Sequence, residues 1–227
     1  MIFPIGDDNM QGGFKPIFSY FFIGLNVLVF LYQVTLQPDC SAFVNHYGTI
    51  PAEIVNGQDY FTLLTSMFLH GGWMHLLGNM MFLWVFADNI EATVGNARFV
   101  LFYLMGGLAA SAAHIFFNMG SNIPAVGASG AISAVLGAYI VMFPQSKIKV
   151  FVAYIFSSFH MAAVWFLGLW IGQQLISGIG ELLPSQVAGS GGGVAWWAHI
   201  GGFVFGVLAG FLFKGTRPMI ENDLDYA

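Results

Sequence analysis

Residues 124–144 read PAVGASGAISAVLGAYIVMFP, an uncharged segment closed at each end by a proline. Proline inside a helix removes a backbone donor and clashes with the preceding turn, so the pair limits one short helix over about 127–143. Gly127, Ala128, Ser129, Gly130, Ala131, Ser133, Ala134, Gly137 and Ala138 dominate that helix. So little side-chain bulk lets neighbouring backbones approach closely, whereas a helix facing lipid carries Leu, Ile or Phe. The segment therefore suits the middle of a bundle.

The rest of the chain supplies the bundle. Of 227 residues, 57% are hydrophobic and 7% charged, against about a quarter charged in an ordinary soluble domain. A soluble globular protein is excluded. Six segments reach or approach the roughly 20 apolar residues that a span needs: 17–35, 73–90, 99–118, 127–143, 150–172 and 195–213. The expectation is an all-α polytopic membrane protein, a six-transmembrane-helix bundle that forms one domain over residues 1–227, its first run a retained signal-anchor. Lys15, Arg98, Lys147, Lys149, Lys214 and Arg217 all fall in loops on one side of that arrangement. The positive-inside rule makes that side cytoplasmic, together with both termini. Nothing resembles a mitochondrial presequence, and a multi-pass protein of a bacterial plasma membrane is expected.

Composition also removes partners. Six Lys plus Arg and a net charge of −5 build no basic face for nucleic acid. Cys40 is the single cysteine, and no Cys/His cluster has zinc-ligand spacing. No metal or cofactor is expected.

Two small-residue stripes carry the chemistry. Gly202, Gly206 and Gly210 recur every four residues in the last span, and His199 shares their face; Ser129, Ser133 and Gly137 form the matching stripe on the short helix. Both helices run from outside to inside, so packed stripes bring Ser129 and His199 together near their outer ends. Ser129 opens its helix, where free N–H groups and the helix dipole favour a developing oxyanion. An isolated GASG is more often mere small-residue packing. His199 is an ionisable group within a span, able to act as a general base, or else satisfied by a backbone carbonyl. His75 and Asn79 share one face of the second span at the same depth; they suit oxyanion donors, or polar contacts between helices. The fourth to sixth spans hold no Asp or Glu at that depth, no HExxH occurs, and Asp88 is the one Asp within a span. A Ser-His dyad is what elimination leaves.

At this point residues 60–213 resemble the rhomboid family of intramembrane serine proteases. MFLHGGWMHLLGN at 67–79 matches the family's His and Asn motif on the second core helix, GASG at 127–130 its GxSG, and AHIGG at 198–202 the AH of its last core helix. The resemblance implies a six-helix rhomboid core, Ser129 as nucleophile and His199 as general base. It also implies an oxyanion site of His75, Asn79 and the Ser129 N–H, with transmembrane proteins cleaved near the outer face of the bilayer. The alternative is a non-catalytic rhomboid-like protein that binds transmembrane helices. A transporter would call for inverted repeats or paired broken helices, and the sequence has neither. Two departures stand out: the first outer loop, 36–72, lacks the Trp-Arg pair common in the family, and Ser133 stands where members often place a Tyr against the catalytic His. Support for His199 is expected elsewhere, from Trp196 or Trp197.

Other features read as structural. Glu91 is expected to cap or pair at the inner end of the second span, and His114 and His160 to make packing hydrogen bonds inside the third and fifth. His70 is a minor candidate in the first outer loop. Pro184 to Gly193 reads as a lid or a tolerant connection.

Overall fold

The computed structural model describes residues 2–8, 16–36, 40–182 and 194–216. Lys15, Arg217 and the segment from Pro184 to Gly193 lie outside the described residues. The chain is mostly helical: α1 (Ile17–Thr35), α2 (Cys40–Tyr47), α3 (Pro51–Val55), α4 (Thr62–Thr65), α5 (Trp73–Val94), α6 (Asn96–Phe117), α7 (Ser129–Met142), α8 (Ala163–Glu181) and α9 (Trp196–Thr216). Three strands, β1 (Ile2–Gly6), β2 (Lys147–Val152) and β3 (Ser157–Ala162), make an antiparallel sheet in the order β1-β2-β3. The helices over 17–35, 96–117, 163–181 and 196–215 are each long and apolar enough to cross a membrane. The protein is therefore an integral membrane protein. With 14 residues α7 is shorter, and α5 carries Asp88 and Glu91. Four spans, not six, thus stand on length and composition.

The helix α7 sits at the centre of the bundle. Residues 130–139 are all buried, and α6, α5 and α9 pack around them. The glycine stripes meet as expected: α7 and α9 run in the same direction, with Gly202 against Gly130 and Ser133, Gly206 against Ala134, and Gly210 against Ala138. A Cβ on Gly206 would overlap the Ala134 carbonyl oxygen and lie 2.7 Å from its carbon. Close approach of this kind replaces the hydrophobic effect as the source of helix association in lipid. α6 is antiparallel to both, its Gly106 facing Ala134 and its Ala110 facing Gly130. Arg98, Lys147, Lys149 and Lys214 consequently lie toward the end of the bundle opposite Ser129.

Glu91 does what a capping carboxylate should, but for another helix. Fully buried near the C-terminal end of α5, it accepts hydrogen bonds from the N–H groups of Phe18 (2.9 Å) and Ser19 (2.7 Å) and from the Ser19 hydroxyl (2.6 Å). These are orphan donors of the first turn of α1, where negative charge is also favoured by the helix dipole.

Three expectations need correction. An all-α class omits the sheet. The expected span at 150–172 is in fact strand, turn and strand up to Ala162, followed by a helix that begins at Ala163 and continues to Glu181. The stretch 147–152 is half-buried strand rather than helix: Ile148 and Val150 are buried while Lys147 and Lys149, alternating with them, are exposed, a period of two; residues 153–156 form the turn. His160, read as a membrane histidine, is an exposed residue of β3 paired in register with Lys149. The described part of the connection 36–72 holds α2, α3, α4 and a 3-10 turn at Ser66–Phe68. It is pinned to the segment before α7 by paired backbone hydrogen bonds between Thr49 and Ala125 (3.0 and 2.8 Å) and by Ala52 N–H to Ser121 C=O (3.0 Å).

Candidate functional site

Ser129 is the first residue of α7 and His199 stands one turn into α9. The Gly130–Gly202 contact just below sets the spacing of the two helices, and the imidazole Nε2 lies 2.9 Å from the Ser129 hydroxyl. An unprotonated imidazole nitrogen at that distance can take the hydroxyl proton as oxygen attacks an electrophile.

The other ring nitrogen, Nδ1, lies 2.7 Å from Oε1 of Gln174, a buried residue of α8. The Trp170 ring flanks the imidazole at a centroid distance of 5.8 Å, and Trp196 stands edge-on to it at 6.3 Å. Trp197, the other expected support, stacks instead on Phe117 at 3.7 Å. Ser133 makes no contact with the imidazole in the manner of a Tyr; its hydroxyl donates back to the Ser129 carbonyl at 2.6 Å. Gln174 was hidden from the sequence reading because ending the fifth span at 172 left it in a loop. The signal was a pair of amides, Gln173 and Gln174, inside an apolar run that starts at Ala163.

His75 and Asn79 come from α5 and converge on Gly127, two residues before Ser129. A side chain at Gly127 would meet His75 Nε2 at 2.9 Å and Asn79 Nδ2 at 3.6 Å, and its φ of +128° also suits glycine alone. The Gly127 N–H donates to the Ser66 carbonyl at 2.9 Å, which fixes the approach to α7. The Gly71 N–H points to His75 Nδ1 at 3.3 Å. With Nδ1 accepting, the proton of a neutral His75 resides on Nε2, the atom facing Gly127. Asn79 is buried and its Nδ2 has no hydrogen-bond partner among the described residues. Two potential donors thus face the backbone at Gly127, two residues before the serine.

His70 is excluded from this constellation. It is buried with its ring edge-on to His75 at 5.1 Å, and burial together with the nearby His75 holds its pKa down to about 3. Its backbone is gripped by Gln33, whose side chain accepts from the His70 N–H (3.0 Å) and donates to its carbonyl (3.2 Å). His114 bonds locally to Asn118 and borders a cavity of about 190 Å³ that also touches Gly71, His75, Pro124 and Ala195. Among the described residues no group of three or more His, Cys, Asp or Glu could hold a metal ion.

Known proteins resemble this chain over most of its length. The model of the Rhomboid domain family matches residues 57–216. Rhomboid protein 1, mitochondrial, of Saccharomyces cerevisiae is 28% identical over 220 residues, 92% of this chain and 57% of the yeast protein. Rhomboid protease GluP of Bacillus subtilis is 35% identical over 127 residues, 56% of this chain and 24% of GluP. RHOMBOID-like protein 4 of Arabidopsis thaliana is 34% identical over 166 residues, 73% of this chain and 37% of the plant protein. The chain spans from a quarter to little more than half of the length of these curated relatives.

Proposed function

Since the chain belongs to the rhomboid family, we propose that it is an intramembrane serine endopeptidase that cleaves transmembrane proteins with a Ser129–His199 dyad. The observation that carries the reading is the 2.9 Å contact between the Ser129 hydroxyl and His199 Nε2 at one end of a lipid-facing bundle. The Ser129 oxygen attacks the scissile carbonyl carbon while His199 takes its proton. The carbonyl oxygen becomes an oxyanion that accepts from His75 Nε2–H, Asn79 Nδ2–H and the Ser129 N–H. Collapse of the tetrahedral intermediate breaks the C–N bond, and His199 returns the proton to the departing amine. Water then repeats the sequence on the acyl-enzyme, with His199 again as base.

Six crossings complete the reading, with the shorter α7 enclosed by its neighbours and the cationic end on the inner side together with both termini. The dyad is then near the outer face, and a substrate helix must unwind locally there to expose a carbonyl. Relatives named as mitochondrial and relatives from Bacillus match alike, so the expected bacterial plasma membrane draws no support from them, and the proposal extends to an integral membrane protease without naming its compartment.

The test is covalent labelling. A fluorophosphonate should modify the purified protein, and Ser129→Ala should abolish both labelling and cleavage of a transmembrane reporter. A protein that only bound transmembrane helices would not label, and cleavage by Ser129→Ala would refute the serine mechanism.

A further inference from the structure

Gln174 occupies a position that the dyad reading leaves without a role. It lies in α8, is only 4% exposed, and its side chain bridges two groups: Oε1 is 2.7 Å from His199 Nδ1, and Nε2 is 3.3 Å from the Trp170 carbonyl oxygen. The orientation of an amide is normally an assignment, but here chemistry decides it. A backbone carbonyl can only accept, so the NH₂ end must face Trp170 and the oxygen must face the imidazole. An amide oxygen can only accept in turn. His199 Nδ1 must therefore carry a proton, and in the neutral ring this strips Nε2, the nitrogen 2.9 Å from the Ser129 hydroxyl.

We propose that Gln174 is a positioning residue that selects the Nδ1–H tautomer of His199 and aims its bare Nε2 at Ser129. The inference rests on the dyad reading above and adds to it a third member that is neutral. In a soluble serine protease a carboxylate fills this place. A carboxylate at this depth would be an uncompensated charge in a low-dielectric site, because Arg98 of α6 and Lys214 of α9 lie toward the opposite end of the bundle. An amide provides the acceptor without that cost. It also makes the side chain independent of pH, so the tautomer is held wherever the imidazole is neutral. Trp170 serves the same end twice, since its carbonyl orients the amide while its ring flanks the imidazole.

Two variants and one spectrum test the proposal. Gln174→Met keeps the volume and apolar fit but removes the acceptor. Fluorophosphonate labelling of Ser129 should slow by roughly 10²-fold, as expected for loss of a reacting group's alignment, while thermal stability in detergent is retained. Gln174→Glu restores an acceptor. Labelling should be rescued relative to Gln174→Met, and the acidic limb of its pH profile should move to higher pH, because a carboxylate beside the imidazole favours the imidazolium. The ¹⁵N spectrum of histidine-labelled protein, assigned for His199 by difference with His199→Ala, should show the proton on Nδ1 in the unmodified chain and a mixture in Gln174→Met. A proton on Nε2 in the unmodified chain overturns the proposal even if no variant folds. Full labelling by Gln174→Met with an unshifted pH profile also overturns it. Failure of the unmodified protein to label at all counts against the dyad reading instead, so the two cannot be confused.

Discussion

Gly206→Ala adds one methyl group and sets two known effects against each other. Alanine is favoured over glycine in a helix interior by about 1 kcal/mol, so propensity alone makes the variant more stable. The geometry reverses the sign. The new Cβ would overlap the Ala134 carbonyl oxygen and sit 2.7 Å from the carbonyl carbon and 2.8 Å from Cα. Carbon atoms in contact lie at about 3.5–4.0 Å, so α7 and α9 must part by about 0.8 Å at least. The obstacle is backbone on both sides, and no side chain can rotate away. Overpacking that forces backbone shifts typically costs about 1–3 kcal/mol, and this site belongs at the upper end, which exceeds the propensity gain. The same displacement, carried two turns along the helices, would stretch the Ser129–His199 contact from 2.9 Å to about 3.7 Å, beyond hydrogen-bond range. Misalignment of that size costs roughly 10²-fold in rate. The assay pairs thermal unfolding in detergent with fluorophosphonate labelling. Gly168→Ala is the control, since that glycine is exposed on α8 and a Cβ there would have nothing within 4 Å. Gly168→Ala should be neutral or stabilising. If Gly206→Ala matched it in both measurements, the close contact of α7 with α9 would be wrong.

Three further outcomes follow from particular contacts. Ser129→Ala and His199→Ala should each abolish peptide cleavage, and the double variant should be no worse than either, because the two act as one unit; additive losses measured in the same reporter assay would separate them. Asn79→Ala should lower kcat by about 10²–10³-fold while leaving KM little changed, as for removal of one oxyanion donor; an effect confined to KM would make Asn79 a binding residue. At the end of α7 away from Ser129, burial pushes the pKa of Asp7 up to about 6 despite hydrogen bonds from Tyr139 and from Asn89 (2.6 Å), and the nearby Asp8 adds to the rise. A folded-state pKa above the unfolded value means stability is fully present below about pH 4 and is lost as pH rises through 6. Asp88 also faces this group, so the readout is a difference. The Tm of Asp7→Asn minus that of the unmodified protein should grow between pH 4 and 6 and stay level above, and a difference independent of pH would show that Asp7 is not the titrating group.

The readable parts of this sequence are those where composition alone fixes the environment. The first span begins and ends at Ile17 and Thr35 as expected, since it is a single apolar run with polar neighbours. The glycine stripe of α9 predicted both its partner helix and the meeting of Ser129 with His199, because small residues in lipid have little other use. Mean hydropathy failed at 150–162, where a strand pair against the bundle is as apolar as a span. The alternation of Lys147 and Lys149 with Ile148 and Val150 was the discriminating pattern. β1 left no local signal at all, since Phe3 finds its partner at Phe151. Gln174 was missed for a related reason: a span placed at 150–172 instead of 163–181 left a buried amide in a loop.

Glu91 has a bearing on how the protein comes to exist. The cap of α1 belongs to a residue 72 positions later in the chain, and at a synthesis rate of about 5–20 residues per second that residue is made roughly 4–14 s after the helix it completes. During that interval the first helix waits in the membrane with the N–H groups of Phe18 and Ser19 open to water or lipid headgroups. Delivery of α5 closes them with a single carboxylate. Insertion of the second long helix is thus also the event that finishes the first, and biogenesis acquires an order in which neither helix reaches its final state alone.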